Sequence, residues 1–324
     1  MPIRWFDPIL TMQLTPFRLV CAGMLSCFVT SLEAAPKIGV LLKGHSPFWS
    51  AVEKGATEAG QRLGAEVIVK APQAETDIAV QIQLLNALGA QGITALVIAP
   101  CSKDALAAPV AALAAKGVKV VVIDSELDGK ASPVFVATDQ QAAGAAAGKL
   151  LAGLVQDSDE VSFLKHSQTS GATAQRESGA LTALRSAHPK VAVHGDIYAS
   201  SEKDAEVEKA NLLLTTYPST KAILASGTPG TMAMLHVLEE KKLSGTIKLV
   251  GFGFNLNPEV ASAIASGALQ GWIAQLPKEV GAQGVTSALA LLKGETVAPV
   301  VHTDFLAVTK SNLNDANVQA LLAL

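Results

Sequence analysis

The chain has 324 residues, of which 49% are hydrophobic and 16% charged, so it is too long for one small core and too apolar to remain disordered. Its formal charge is −3, and the 25 Lys and Arg residues are scattered without a basic run, which argues against nucleic acid or another polyphosphate partner. A two-lobed body or a pair of domains remains.

The first residues differ from the rest. Arg18 precedes an apolar run over residues 19–29, and Ser31-Leu32-Glu33-Ala34-Ala35-Pro36 follows with small residues suited to cleavage. The run falls short of the about 20 apolar residues needed to cross a bilayer, so residues 1–34 are expected to be a cleaved secretion signal, with Met12 as a second possible start. Met24-Leu25-Ser26-Cys27 is a poorer fit to a lipoprotein acylation site, with Met24 where Leu is usual. Cys21 and Cys27 lie in this segment, which leaves Cys101 alone and no intramolecular disulfide in the mature chain.

After residue 36, short Val/Ile/Leu runs alternate with Ala-rich amphipathic stretches. Residues 38–42 read as the first strand. Ser46-Pro47 then opens a helix, with a hydroxyl cap and a proline at the first helical position. Trp49, Val52, Ala56, Ala59 and Leu63 give it a buried stripe, and Gly64 stops it. Strand 66–69, helix 77–88, strand 95–98, helix 106–115 and strand 118–123 continue the pattern. A brief strand at 134–137 leads into a second set: helix 140–155, strand 160–164, helix 174–187, strand 191–198 and helix 204–216. Strand 222–225, helix 230–241, strand 248–252, helix 259–265 and strand 271–274 follow, and residues 314–324 read as a short helix with Val318, Leu321 and Leu322 on one face. This alternation predicts an α/β fold of two doubly wound, Rossmann-like lobes with parallel sheets. Ligands of such sheets bind beyond the carboxyl ends of the strands, so two facing lobes would hold one in the cleft between them.

Enzyme signatures are missing. There is no G-x-S-x-G elbow, no H-E-x-x-H and no phosphate loop, and Gly251-Phe252-Gly253 lacks the third glycine of a dinucleotide site. The six histidines form no ligand-spaced pair and read as exposed loop residues, so no metal, cofactor or catalytic role is expected.

Several stretches, spread over about residues 37–310, resemble the periplasmic ribose- and galactose-binding proteins of type I, which share a fold with the ligand-binding part of the lactose-repressor family. They are Ser46-Pro47-Phe48-Trp49, Ile123-Asp124, Ala137-Thr138-Asp139, Ala174-Gln175-Arg176-Glu177-Ser178-Gly179, Val250-Gly251-Phe252 and Ile273-Ala274-Gln275-Leu276-Pro277. The repressors carry a DNA-binding helix-turn-helix where this chain has its apolar leader. The resemblance implies that Phe48 and Trp49 flank a sugar ring and that Asp124, Arg176 and Gln275 bond its hydroxyls. From the residues alone, Trp49 fits the core stripe as well as a pocket, Asp124 could brace its turn, Arg176 could pair on the surface, and Gln275 could serve both ligand and hinge. The family usually has Asn at Ala99, Arg at Ser125, Asn-Asp at Gly227-Thr228, Asp at Gly253 and Asn at Ser46. The expected ligand therefore has fewer hydroxyls than a hexose, or is read by substitutes: Ser46, Ser125, Thr228, Asn255 and Lys43. Lys43 with Arg176 would also suit an anion, and Lys43 could equally be a solvated loop residue.

The expected lobes are residues 37–138 with 276–303, and 139–275 with 304–324, joined by three strands near residues 138, 275 and 303. The resemblance implies a monomeric periplasmic binding protein that delivers a sugar or sugar-like small polar solute to the membrane permease of an ABC importer by hinge closure around the ligand. The alternative is a receptor feeding a membrane sensor kinase or chemoreceptor.

Overall fold

The computed structural model describes residues 1–3 and 35–323, apart from Ser167, Thr169 and residues 200–202. The secretion-signal reading falls on residues 4–34, outside the described residues. No described helix is long and apolar enough to cross a membrane.

From residue 37 the chain alternates strand and helix: β1 Lys37–Leu41, α1 Pro47–Leu63, β2 Glu66–Lys70, α2 Ile78–Ala90, β3 Ala95–Ile98, α3 Ala107–Ala114, β4 Lys119–Ile123 and β5 Val134–Thr138. The second series is α4 Gln140–Ala152, β6 Glu160–Lys165, α5 Gly171–Ala187, β7 Ala192–Tyr198, α6 Lys203–Thr216, β8 Thr220–Ala225, α7 Thr228–Glu240, β9 Lys248–Phe254, α8 Pro258–Ser266 and β10 Gly271–Gln275. The chain then returns through α9 Pro277–Leu292 and β11 Val300–Thr303, and ends with β12 Phe305–Val308, α10 Ala316–Gln319 and a 3₁₀ turn Ala320–Ala323.

The strands form two six-stranded sheets, ordered β11-β5-β4-β3-β1-β2 and β12-β10-β9-β8-β6-β7. Every pairing is parallel except β12, which runs antiparallel to β10 as an edge strand, so the second sheet is not wholly parallel as expected. Each sheet is packed on both faces. Buried clusters around Trp49, Val97 and Val285 and around Leu41, Leu96 and Leu106 cover the first. Clusters around Trp272 and Met234 and around Phe163 and Phe252 cover the second.

Local signals behave as their chemistry dictates. The Ser46 hydroxyl accepts from the Trp49 amide, and Gly64 takes the left-handed φ of 73° that ends α1. Two expectations fail. Helix α9 was not expected at all, and Leu322 is 39% exposed while Val318 and Leu321 are buried, because the 3₁₀ winding turns it off their face.

The helices entering from the crossings dock against the first helix of their sheet, α9 on α1 and α4 on α5, at very short range. A Cβ added at Gly55 would overlap the Lys278 carbonyl, one at Gly281 the Val52 carbonyl, and one at Gly144 the Arg176 carbonyl. The chain passes between sheets at three places: β5 to α4, β10 to α9, and β11 to β12 across the single residue Asp304.

Candidate ligand-binding site

The carboxyl ends of β1 and β4 carry Lys43 and Asp124. Since β3 lies between them, the Lys43 side chain spans the end of β3, where Ala99 has no long side chain to compete. Its ammonium reaches the Asp124 carboxylate at 2.8 Å and donates also to the Ser125 hydroxyl, which itself donates to Asp124 at 2.9 Å. Burial alone would depress the Lys43 ammonium, but Asp124, with help from Glu75 and Cys101, more than offsets this and leaves its pKa raised. Lys43 is thus an embedded cation, and the solvated alternative is excluded. Asp124 adopts a positive φ of 63°, as does Asn255 at 54° on the opposite sheet, a conformation uncommon for non-glycine residues. Behind this corner the fully buried Gln81 donates to the Leu42 and Ala99 carbonyls and accepts from the Cys101 amide, tying three loop segments together. Cys101 is a free thiol pushed up to about 11 by burial, and so inert at neutral pH.

Phe48 and Trp49 divide as helical geometry requires. Trp49 is 3% exposed within the core and donates its indole N–H to Glu75 at 2.7 Å. Phe48 is half-buried, edge-on to Trp49 with centroids 5.0 Å apart, and meets Phe254 at the end of β9 at 5.5 Å. The start of α1 and the end of β9 therefore touch across the gap between the sheets, and Trp49 packs edge-on against Phe48.

On the second sheet Arg176 is 5% exposed. Its Nε and Nη2 donate to the Gln140 Oε1 at 3.0 and 2.8 Å, its Nη1 donates to the Ser226 carbonyl, and its Cζ lies 4.5 Å from the Phe252 ring centre. Burial pulls the guanidinium down to about 10, still charged at neutral pH, with Asp124 the leading group holding it up. No surface ion pair with Glu177 forms. Glu177 instead accepts from the Ser226 hydroxyl at 2.7 Å and lies 4.0 Å from Lys165, and burial raises its carboxyl. Gln275 accepts from Gln140 at 3.0 Å and donates to the Gly253 carbonyl at 3.3 Å, beside a crossing. At the neighbouring crossing the Thr138 and Thr303 hydroxyls lie 3.3 Å apart.

The remaining expected residues are dispersed in role. Ser46 is occupied as the α1 cap, and Thr228 opens α7 with its hydroxyl close to Gly253. The Asn255 backbone carbonyl accepts from the Trp272 indole at 2.8 Å, while its side-chain Oδ1 is buried without a partner. Gln81, Gln140, Ser226 and His166 were missed. Only Ser226, two residues before a helix opening at Thr228, carried a positional signal. His166, His188 and His194 are half-buried rather than exposed as expected. One surface hollow, against α1 and β2, is lined by Leu42, Gly44 and Trp49 beside Lys43, and a second lies between α1 and α9, away from the expected site residues.

A family model described as a periplasmic binding protein domain matches residues 38–296. The chain belongs to that family. Among curated relatives, the D-allose-binding periplasmic protein of Escherichia coli (strain K12) is 27% identical over 280 residues, covering 84% of this chain and 89% of that protein. The ribose import binding protein RbsB of the same organism is 26% identical over 299 residues, covering 90% and 97%. Among solved structures, a carbohydrate transporter solute binding protein from Agrobacterium radiobacter in complex with D-arabinose superposes with a TM-score of 0.79 at 32% identity, covering 90% of this chain and 99% of that one. A solute binding protein of an ABC transporter from Agrobacterium vitis with bound D-fucose gives 0.78 at 26%, covering 88% and 99%. The first of these relatives is thus named as a sugar-binding protein of the periplasm and the second as a binding protein for ribose import.

Proposed function

We propose that the protein is a periplasmic solute-binding protein that captures a sugar or sugar-like small polar solute and hands it to an ABC importer. The observation that carries this is an aromatic ring, Phe48, at the start of α1 in contact with Phe254 at the end of β9, together with a buried cation on α5, Arg176, fixed by three hydrogen bonds to Gln140 and the Ser226 carbonyl at the end of β8. An aromatic face suits the apolar side of a sugar ring, and a charged donor held in place orients its hydroxyls. The names of the relatives, all binding proteins for sugars or a polyol, favour import over the sensory reading.

In this reading Phe48, Asp124, Ser125, Arg176, Asn255 and Gln275 meet the ligand, with Ser46, Trp49 and Thr228 shaping the walls. Residues 37–138 with 276–303 move as one lobe and 139–275 with 304–324 as the other. Closure bends the three crossings and presents a surface to the permease. The protein acts as a monomer, without catalysis, after export from a precursor cut near Ala34.

The test is a melting screen against D-ribose, D-allose, D-arabinose, D-fucose, polyols and small organic acids. A sugar at about 100 times its Kd should stabilise the protein by about 2.7 kcal/mol, read as a rise in Tm. Arg176→Ala should abolish that rise. Shifts with organic acids alone would remove the sugar assignment, and silence across the panel would remove solute capture.

A further inference from the structure

His166 follows β6 directly, and on the sheet β6 adjoins β8, whose end carries Ser226 and Gly227. A Cβ added to Gly227 would lie 2.8 Å from the His166 Nδ1 and 3.0 Å from its Cγ. Gly227 has φ −158° and ψ 159°, extended backbone open to any residue. Glycine is needed there for space, and the imidazole packs into it.

The backbone of His166 is pinned, its amide donating to the Ser226 hydroxyl at 2.9 Å and to Glu177 at 3.4 Å. The ring is not satisfied. Its Nδ1 is buried and unbonded, one of two such side-chain atoms among the described residues; the other is Asn255 Oδ1, after the end of β9, the next strand beyond β8. A buried polar atom without a partner costs about 1–3 kcal/mol, a cost that a ligand group can relieve. The carboxamide oxygen only accepts, whereas the imidazole nitrogen donates or accepts according to tautomer. A hydroxyl satisfies either. The two orphans flank the end of β8, which carries Arg176's anchor Ser226: His166 follows β6 on one side, and Asn255 follows Phe254, the Phe48 contact, at the end of β9 on the other.

We propose that His166 is a specificity-determining residue of the ligand site, whose imidazole occupies the space left by Gly227 and hydrogen-bonds a hydroxyl of the bound solute. This deepens the capture reading and rests on it. The space beside two glycines of this sheet is filled by neighbouring side chains, that of Gly227 by the His166 ring and that of Gly253 by the Trp272 ring and the Thr228 hydroxyl. The solute's hydroxyls on that side are then read by the two unpartnered atoms.

The ionisable groups around the ring are Lys165 on its own strand and Arg176 and Glu177 on α5. Burial, with Arg176, lowers the imidazole pKa below its ordinary 6.5, so the ring is neutral at neutral pH. If Nδ1 is the acceptor, acidification abolishes it.

The experiment titrates the intact mature protein by calorimetry with whichever sugar of the panel shifts its melt most, and repeats this with His166→Leu, Gly227→Ala and the double variant. Circular dichroism and melting confirm that each variant folds. Each single variant should weaken binding by about tenfold. The double should be no weaker than the weaker single, because both act on one ring. Wild-type affinity kept within twofold by both singles overturns the assignment of His166 and leaves capture standing. Additive losses in the double overturn the pairing with Gly227, and a wild type that binds no sugar overturns both proposals.

Discussion

Glu206 on α6 is 6% exposed, and burial raises its carboxyl to about 7 from an ordinary value of 4.5. An acid whose folded pKa is raised favours the folded state while it is protonated. That contribution is present in full below pH 4.5 and is lost as pH climbs to about 7, where the buried carboxylate must ionise. Glu206→Gln should therefore raise stability by about 1–3 kcal/mol at pH 8 and leave it nearly unchanged at pH 4, measured as Tm at the two pH values. Equal effects at both would remove the titration argument. At this scale the sequence was informative about residue type and place along the chain: Phe48, Asp124 and Arg176 were singled out by the stretches that resemble the ribose- and galactose-binding proteins, while the residues alone left a turn brace and a surface pair open. Partners were not legible. Lys43 meets Asp124, and His166 meets Gly227, only because sheet order sets β1 two places from β4 and β6 beside β8, and no spacing along the chain encodes that order.

Helix α9 shows what local pattern misses. Its Gly281 and Gly284 are poor helix formers, and Pro277 marks a start without a side-chain cap. The glycines are present for contact: Gly281 lets α1 approach to backbone distance, and Gly284 faces Val97 and Ile123 of the sheet. Tertiary packing outweighs propensity here, whereas α1, with its serine cap, proline start and glycine stop, was legible in full. Gly281→Ala is expected to destabilise the protein by about 1–3 kcal/mol through overpacking against Val52, lowering Tm by several degrees. Gln283→Ala on the exposed face of the same helix should stay within about 0.5 kcal/mol. Similar losses for both would mean that the close approach is not what the glycine serves.

For the molecule as a whole, two sheets share three crossings, and the only aromatic pair bridging the two halves among the described residues is Phe48 at the start of α1 with Phe254 at the end of β9. The glycine-lined pairs α1–α9 and α4–α5 pack tightly up to the crossings, so the hinge closure proposed above would have to bend the few residues around 138, 275 and 303. Small-angle scattering should show the radius of gyration falling when a binding sugar saturates the protein, with little change in Phe48→Ala at the same sugar concentration. A wild type equally compact with and without sugar would rule out hinge closure. The alternating pattern made this architecture legible, but the antiparallel β12 was not, since nothing local distinguishes a strand that returns along its neighbour.

The threading of the last strands also governs when the protein can become itself. The first sheet, begun at residue 37, lacks its edge until β11 at residues 300–303, and α1 lacks its packing partner until residue 292. Contacts so distant along the chain close late, because the intervening loop must first surrender its entropy. The first body therefore gains its last edge strand and the partner of α1 only when nearly the whole chain is available.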